Sequence, residues 1–466
     1  MTHDDLAFSD ATTLGALIAR KQISSVELTT LYLQRLARHG PSYNAVVTIL
    51  SERALREAKN ADAELAHGTR RSALHGVPYG VKDLLAARGG PTTWGAAPYQ
   101  NQVFDYDAAV IERLHAAGAV LLGKLSMVEL AGAFGYNDAD ASFSGPGRTP
   151  WNRAYWSGGS SSGPGAAVSA GLVGFAIGSE TNGSIMTPAA MCGVSGLRPT
   201  FGCVSRYGAM PLMWSSDKLG PMARSARDTE RILHAIAGAD PRDTASTSQP
   251  FRAARKRPRI GVIAHSREKS QRAVVRNFDA SVDVLRSFAE VTGDVPLPPM
   301  PYDAVMNTLL NGESASAFRD LIESGRAREL RSKDDRIGGY VQYATLAVDY
   351  VDAMRLRAKI DKAVREAVEP YDALIFPTLP SVAYPIGVPF DKVYPDAQGA
   401  VDPITPGNLA GIPSLSVPNG FGDHGLPTGL GFLGNPWAET QLTAIAGAYQ
   451  QHTSFHERRP TSSGAG

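Results

Sequence analysis

The chain of 466 residues has few cysteines and none of the residue clusters that usually hold metals. Cys192 and Cys203 are its only cysteines, too few for a disulfide framework. They also lack the companion ligands that a zinc or iron–sulfur site requires. We therefore expect no metal centre and no bound cofactor. Two free thiols also indicate a reducing compartment such as the cytoplasm.

The chain also lacks an excess of charge of either sign and long apolar runs. Its 46 basic and 45 acidic residues leave a formal net charge of +1, so no electrostatic footprint for nucleic acid or an anionic membrane is present. No stretch reaches the roughly 18 apolar residues of a membrane helix. The first residues carry Asp4 and Asp5 and no uninterrupted apolar segment, unlike a secretory signal. These features predict a soluble cytoplasmic protein without nucleic-acid or membrane partners.

The chain does have a large share of apolar residues, 43%, which is enough for a sizeable core. Ser24 lies three residues before Glu27, the spacing of a capping box, and apolar residues follow at helical intervals. This pattern predicts a helix over residues 24–40, ending at Gly40 and Pro41.

Helical and strand-like segments then alternate along the chain. Residues 51–67 are predicted to be helical, and a strand-like run follows that ends at Lys82. Residues 107–130 have the pattern of a helix, a glycine, a strand and a second helix. Such alternation is typical of an α/β fold with a mixed sheet.

Three adjacent serines stand between glycines in "WSGGSSSGPGAAVSAG", residues 156–171. Residues 159–163 match the G-x-S-x-G motif of α/β-hydrolases, with Ser161 as nucleophile, but that motif must follow a buried strand. The preceding "TPWNRAYWSG" is polar, aromatic and contains proline, so the α/β-hydrolase interpretation is disfavoured.

Three separated motifs carry a more specific signal. They are "GVPYGVKD" at 76–83, the glycine- and serine-rich segment at 158–208, and "SDKLGPMARS" at 216–225. In this order they closely resemble the amidase signature family, and weaker similarity continues in "DALIFPTLP" and "TPGNLAGIPSLSVPNG".

The resemblance implies one α/β domain over residues 1–466, built on a central mixed, mostly parallel, twisted sheet with helices on both sides. Within it we expect four parts, each defined by its range. They are an N-terminal helical region at 1–67, a signature core at 70–235, a mostly helical insertion on the substrate side at 268–370, and a return to the sheet at 371–455.

The family cleaves amides with a serine, a serine that follows a cis peptide bond, and a lysine. Position by position, Ser184 matches the nucleophile, Ser160 the cis-serine and Lys82 the base. The chemistry is plausible on physical grounds, because a buried lysine loses its proton more readily and can then accept one from a serine hydroxyl. Lys82 follows the apolar run "VPYGV"; the alternative is a charged Lys82 paired with Asp83 at the surface.

The turn "ETNGS" that contains the nucleophile is expected to form the oxyanion hole. Its backbone N–H groups would belong to Thr181, Asn182, Gly183 and Ser184. The family's usual turn is "DTGGS", so Asn182 replaces a glycine. Asparagine tolerates left-handed backbone better than most residues do, so we expect the turn to survive.

Other residues are candidates for support or for the substrate pocket. Ser161 and Ser162 are expected to cap the following helix or to orient Lys82, and Arg206 to buttress the site. An apolar acyl or aryl pocket could be formed by five residues, although core packing explains each of them equally well: Phe134, Tyr136, Met186, Met213 and Trp214.

The resemblance predicts an amidase that acts through an acyl-enzyme, on aryl or hydrophobic amides. Carbamates and ureas with the same amine would suit the same chemistry. A second hypothesis is the glutaminase subunit of a transfer-RNA-dependent amidotransferase, and a third is a non-catalytic binding protein that keeps the fold. The expected partner is a small amide or carbamate, and a homodimer is possible.

Overall fold

The computed structural model describes residues 2–460. In this part of the chain, helices and strands alternate as the sequence pattern indicates. The strands are β1 (Val46–Ile49), β2 (Pro78–Lys82), β3 (Val120–Leu125), β4 (Phe175–Glu180), β5 (Ser195–Arg198), β6 (Lys218–Ala223), β7 (Arg259–Ile263), β8 (Glu290–Val295), β9 (Ala373–Pro377), β10 (Ser414–Phe421) and β11 (Pro427–Leu433). The α-helices are α1 (His3–Ala7), α2 (Ala11–Ala19), α3 (Ser25–Tyr43), α4 (Ser51–Ala66), α5 (Ala109–Ala116), α6 (Ser162–Ser169), α7 (Met186–Cys192), α8 (Ala226–Ile236), α9 (Arg272–Arg286), α10 (Tyr302–Ala317), α11 (Arg319–Glu323), α12 (Asp335–Gln342), α13 (Ala347–Val368), α14 (Ile404–Leu409) and α15 (Glu439–Gln451).

The strands form one sheet of eleven in the order β1-β3-β2-β4-β6-β5-β10-β11-β9-β7-β8. The predicted single α/β domain with a mixed sheet is confirmed. Strands such as β2, β3 and β4 are buried at every position, so both faces of the sheet are covered.

Parallel pairing is less common in this sheet than expected. It joins β2 to β3 and β4, and β7 to β8 and β9, whereas the central strands pair antiparallel. The short turn Asp423–Gly425 explains one of these antiparallel pairs, because a tight hairpin between β10 and β11 leaves no room for the crossover that parallel strands need.

Two of the predicted helices differ from the observed ones. Ser24 and Glu27 form the predicted capping box, but α3 continues through Pro41 to Tyr43 and closes on Asn44, whose φ of 47° is left-handed. Pro41 lacks the backbone N–H of a regular helical residue, and the helix ends two residues after it. The helix predicted after β3 is only a 3-10 turn, Glu129–Gly132, because two of its residues have left-handed φ.

Residues 268–370 are mostly helical, with one strand, β8.

Both cysteines are free and buried. No helix among residues 2–460 is long and apolar enough to cross a bilayer.

Two buried carboxyl groups connect this helical region to the signature core. Glu129, in the turn after β3, accepts hydrogen bonds from the backbone N–H groups of Arg331 and Ser332 at 2.8 and 2.7 Å. Asp335, at the start of α12, is fully buried beside Glu129. Burial and the neighbouring Glu129 raise the pKa of Asp335 well above its usual range, so the pair retains a proton that the unfolded chain releases.

We therefore expect the free energy of unfolding to fall as pH rises above the ordinary pKa of Asp, by up to about 1.4 kcal/mol per pH unit for this proton. Asp335→Asn supplies a permanent donor to Glu129 and removes that dependence. Urea unfolding at pH 5.5 and pH 8 should show the variant gaining stability relative to the wild type at the higher pH. A constant difference between the two proteins would contradict the shared proton.

Candidate active site

The three residues proposed as a triad come from neighbouring elements of the signature core. Lys82 is the last residue of β2, which runs parallel to β4 in the sheet. Ser160 precedes α6, and Ser184 lies between β4 and α7. The carboxyl ends of adjacent parallel strands meet at one edge of a sheet, which is where α/β proteins commonly place their sites.

The side chains of these residues form a continuous chain of hydrogen bonds. The Lys82 side-chain nitrogen Nζ is 2.7 Å from the Ser160 Oγ, and the Ser160 Oγ is 2.9 Å from the Ser184 Oγ. The peptide bond between Gly159 and Ser160 is cis. The structure thus brings together the three residues that the sequence motifs single out, although they are far apart in the chain.

Lys82 is fully buried, and its surroundings favour the neutral amine. Burial lowers the pKa of Lys82 to about 7, against a weaker opposing effect from Asp217 and Glu180. Its nitrogen donates to two hydroxyls, those of Ser160 and Ser179, the second at 2.9 Å. Near neutral pH a substantial fraction of Lys82 is therefore able to accept a proton.

The alternative pairing of Lys82 with Asp83 is wrong. Asp83 is buried on the other side of the strand and forms an ion pair with Lys124, with 3.0 Å between Oδ1 and Nζ. Thr93 also donates its backbone N–H to Asp83 at 3.0 Å. Successive residues of a strand point to opposite faces, so the two side chains lie on different sides of the sheet.

The turn between β4 and α7 leaves several N–H groups free. The Glu180 carboxylate accepts the N–H groups of Ile185 and Met186 at 2.8 and 3.0 Å, at the start of α7. Among the described residues, the N–H groups of Asn182, Gly183 and Ser184 donate to no protein acceptor. These groups surround the nucleophile candidate and suit the stabilisation of a developing oxyanion.

Asn182 does not adopt the left-handed backbone considered for it. The positive φ of the turn, 83°, belongs to Gly183. The Asn182 side chain instead donates to the Thr405 hydroxyl at 3.2 Å and accepts from the Asn408 amide at 3.3 Å. The residue that replaces glycine therefore ties the turn to α14.

A buried ion pair supports the same turn from below. Arg198, fully buried in β5, lies 3.0 Å from the Glu180 carboxylate, and the Asn408 amide donates to the same oxygen at 2.9 Å. Burial would raise the pKa of Glu180, but these partners together hold it below its ordinary value. Glu180 and Arg198 both lie within the motif at 158–208, whereas Asn408 on α14 comes from a distant part of the chain.

Ser161 and Ser162 do not cap α6 with their side chains. The Ser161 hydroxyl accepts the Ser179 N–H at 3.2 Å and donates to the Ser179 carbonyl at 3.1 Å. The Ser162 hydroxyl donates to the Ser126 carbonyl at 3.4 Å. Ser161 thus positions Ser179, one of the two hydroxyls that contact Lys82, so its effect on Lys82 is indirect.

A narrow cavity of about 30 Å³ adjoins Ser179, with room for about one water molecule. Its wall contains Thr181, Asp217 and Arg206 among mostly apolar side chains. Trp214 also lines it and is 59% exposed. The cavity therefore reaches from solvent to Ser179, which hydrogen-bonds Lys82, whereas Lys82, Ser160 and Ser184 do not line it.

Arg206 supports one wall of this cavity. Its guanidinium binds Asp243 with two nitrogens, at 3.0 and 3.1 Å, and stacks over the Trp214 ring at 4.6 Å. Its Nη1 also donates to the Trp214 carbonyl.

The other predicted pocket residues pack away from this cavity. Met186 and Met213 are fully buried in an apolar cluster with residues of α10, α13 and α14. Phe134 packs edge-on against Phe318, and Tyr136 against the ring of Trp156. Of the five candidates, only Trp214 lines the cavity beside Ser179.

Two polar residues of the site, Ser179 and Asp217, are not predicted by the sequence motifs. Ser179 is the second hydroxyl bonded to Lys82, and Asp217 accepts a hydrogen bond from the Thr181 hydroxyl. Both lie inside the quoted motifs. Ser179 lies five residues before Ser184 and Asp217 lies one residue before Lys218, and neither spacing is by itself a known catalytic pattern.

The arrangement can carry out base-assisted attack by a serine. Proton movement from Ser184 through Ser160 to Lys82 needs no rearrangement of heavy atoms, since both steps run along existing hydrogen bonds. Within residues 2–460, no group of three or more His, Cys, Asp or Glu side chains could hold a metal ion.

Comparisons with known proteins show the family and the fold of the chain. The family model described as Amidase matches residues 27–443. The A subunit of glutamyl-tRNA(Gln) amidotransferase from Methylococcus capsulatus is 37% identical, over 96% of this chain and 97% of its own length.

Two solved structures share the fold over almost the whole chain. The native peptide amidase of Stenotrophomonas maltophilia superposes with a TM-score of 0.84 at 33% identity, covering 97% of this chain and 98% of its own. A protein described as part of a vestigial complex that reveals the origins of an s-triazine catabolic enzyme gives a TM-score of 0.87 at 28% identity, covering 97% and 100%.

The lowered pKa of Lys82 predicts how the reactivity of Ser184 depends on pH. We expect labelling of Ser184 by a fluorophosphonate to accelerate as pH rises, with an apparent pKa of about 7, because only the neutral amine accepts the serine proton. Labelling rates between pH 5.5 and 9, measured by intact-mass spectrometry, give this profile.

Two variants control for other sources of pH dependence. Lys82→Arg keeps a cation that does not deprotonate, so labelling should fall about 10²-fold or more and lose the transition near pH 7. Ser184→Ala should take up no label. A wild-type rate that is flat across this range would show that Lys82 is not the base.

Proposed function

Because the chain belongs to the Amidase family, we propose that it hydrolyses amide C–N bonds through an acyl-enzyme on Ser184. The observation that carries this proposal is the hydrogen-bond relay from a buried Lys82, with a pKa near 7, through Ser160 to Ser184. A non-catalytic binding protein would have no need to connect a buried lysine to two serine hydroxyls in this way.

In the acylation step, the Ser184 oxygen attacks the carbonyl carbon of the substrate. Its proton passes to Ser160 while the Ser160 proton passes to the neutral Lys82. The carbonyl oxygen becomes an oxyanion, which the N–H groups of Thr181, Asn182, Gly183 and Ser184 would stabilise.

Breakdown of the tetrahedral intermediate reverses the relay. Lys82 returns its proton through Ser160 to the leaving nitrogen, and the C–N bond breaks to leave an ester on Ser184. An unprotonated amine is a poor leaving group, so this delivery is essential for amides. Water then attacks the ester by the same relay, releasing the acid and restoring the Ser184 hydroxyl.

One candidate substrate is the carboxamide of glutamine. The whole-length similarity to the A subunit of glutamyl-tRNA(Gln) amidotransferase favours it, because the two chains match over nearly their full lengths. On this proposal the chain acts as one subunit of a larger assembly, and the expectation of no nucleic-acid partner would then hold only for this chain by itself.

The other candidate is a hydrophobic or aryl amide, with carbamates and ureas as chemical equivalents. Similarity to the peptide amidase and the mostly apolar cavity wall favour it. The cavity is small, about 30 Å³, and the exposed Trp214 forms part of its wall, so a bulky acyl group entering it would contact Trp214.

The helical region at 268–370 is proposed to serve the substrate side of the site. Glu313 of α10 accepts the N–H and the hydroxyl of Ser215, at 2.9 and 2.6 Å, and Arg357 of α13 donates to the Ser215 carbonyl at 2.7 Å. Ser215 follows Trp214 directly, so this region helps to fix the cavity wall.

Replacement of the nucleophile gives the primary test. Ser184→Ala should abolish hydrolysis to the limit of detection, because Ser184 is the hydroxyl within the turn that carries the free N–H groups, whereas Ser160 lies between it and Lys82. Turnover of a simple anilide by the purified variant, with thermal unfolding showing a folded protein, would exclude the acyl-enzyme.

A substrate panel separates the two substrate classes. Glutamine, a primary amide, an anilide, a carbamate and a urea are incubated with the purified chain, and amine or ammonia release is followed. Release from the anilide but not from glutamine supports the hydrophobic class, and the reverse result supports the amidotransferase class. No hydrolysis of any of the five, together with no fluorophosphonate labelling, would contradict amide hydrolysis.

A further inference from the structure

Asp217 occupies an unusual position between the cavity wall and the nucleophile turn. One carboxylate oxygen, Oδ1, accepts the Thr181 hydroxyl at 2.6 Å. The other, Oδ2, accepts the N–H groups of Leu212 and Met213 at 2.8 and 3.0 Å. A single carboxylate therefore holds two segments of the site that the chain does not join directly.

The segment held by Oδ2 forms the outer wall of the cavity. Leu212 and Trp214 both line the cavity, and Met213 between them is anchored in the apolar cluster beneath. The N–H groups of Ser216 and Asp217 fold back onto the Met213 carbonyl at 2.8 and 2.9 Å. The wall is thus a tight turn closed around the Asp217 carboxylate.

The residue held by Oδ1 begins the predicted oxyanion turn. Thr181 is buried and follows β4 directly. Its carbonyl accepts a hydrogen bond from the Ser216 hydroxyl at 3.2 Å. The segment that contains Asp217 is therefore hydrogen-bonded to both the hydroxyl and the backbone of Thr181. Movement of the cavity wall would therefore displace the start of the turn that presents the N–H groups.

We propose that Asp217 is a positioning residue that locks the cavity wall to the oxyanion turn, so that a substrate seated against Leu212–Trp214 also aligns the N–H groups beside Ser184. This inference rests on the proposed amide hydrolysis and adds to it a residue that links substrate binding to catalysis. Misplacement of catalytic groups by about 1 Å costs roughly 10²-fold in rate, so such a lock is significant.

The charge of Asp217 provides an independent readout. Two carboxylates, Asp217 and Glu180, oppose the burial that lowers the pKa of Lys82. The ionisable neighbour of Asp217 is Lys218, whose pKa burial lowers well below its ordinary range, and Arg206 lies on the same cavity wall. Neutralising Asp217 should lower the pKa of Lys82 further, and the acid limb of kcat/KM should move to lower pH.

The test compares Asp217→Asn, Thr181→Val and the double variant on whichever substrate the wild type hydrolyses. Thr181→Val removes the hydroxyl that contacts Oδ1 but keeps the backbone, the side-chain volume and every charge. We expect each single variant to lower kcat by about 10-fold or more, and the double variant to be little worse than either.

Two further readouts distinguish positioning from general loss of structure. KM should rise for Asp217→Asn, which loosens the wall, and change little for Thr181→Val. The acid limb should move only for Asp217→Asn. If Asp217→Asn does not fold, as judged by its unfolding transition, Thr181→Val alone tests the proposal. In that variant kcat must fall while KM and the acid limb of kcat/KM stay unchanged.

Strictly additive losses of kcat, or Thr181→Val with wild-type kcat, would overturn the role of Asp217. The Ser184→Ala variant is measured in parallel. If Ser184→Ala keeps activity, the proposed acyl-enzyme fails. If Ser184→Ala is inactive while Asp217→Asn and Thr181→Val behave as wild type, only the inference about Asp217 fails.

Discussion

The burial of one amine governs the chemistry available to the site. Lys82 ends a strand that is covered on both faces, and its nitrogen contacts the hydroxyls of Ser160 and Ser179. Desolvation costs the charged form far more than the neutral one, and this brings the pKa to about 7. Asp83 would cancel the effect if it faced Lys82, but strand alternation turns it to the other side, where Lys124 neutralises it.

The second requirement is a turn that presents free N–H groups while the N-terminus of the following helix, α7, still has hydrogen-bond acceptors. Glu180 meets this requirement by accepting the N–H groups of Ile185 and Met186, while Arg198 keeps it ionised in the core. A buried carboxylate is costly unless it is paired, so the turn depends on β5 and α14 as well as on its own motif. Asn182 adds a contact to α14 where the family's usual turn has glycine.

Much of the fold follows from local pattern. The capping box at Ser24, the strand that ends at Lys82 and the helix at 51–67 are visible in the sequence because each depends on neighbouring residues. Parallel pairing is less frequent than predicted because strand direction depends on the connections between strands, and the central strands are joined antiparallel. The helix predicted at the end of residues 107–130 is instead a 3-10 turn at Glu129–Gly132, because Leu130 and Ala131 have left-handed φ values, which apolar periodicity does not indicate.

The α/β class, the family resemblance and the three residues expected to act together can be read from the amino-acid order alone, because motif order and residue type need no coordinates. The folded chain decides which side chains are in contact. Ser179 hydrogen-bonds Lys82, Asp217 hydrogen-bonds Thr181, and Arg198 pairs with Glu180. It also places four of the five pocket candidates away from the cavity. Hydrogen bonding and desolvation act over a few ångströms. Contacts at that range form between residues that the fold brings together, and the spacing of those residues in the sequence does not indicate which side chains will be in contact.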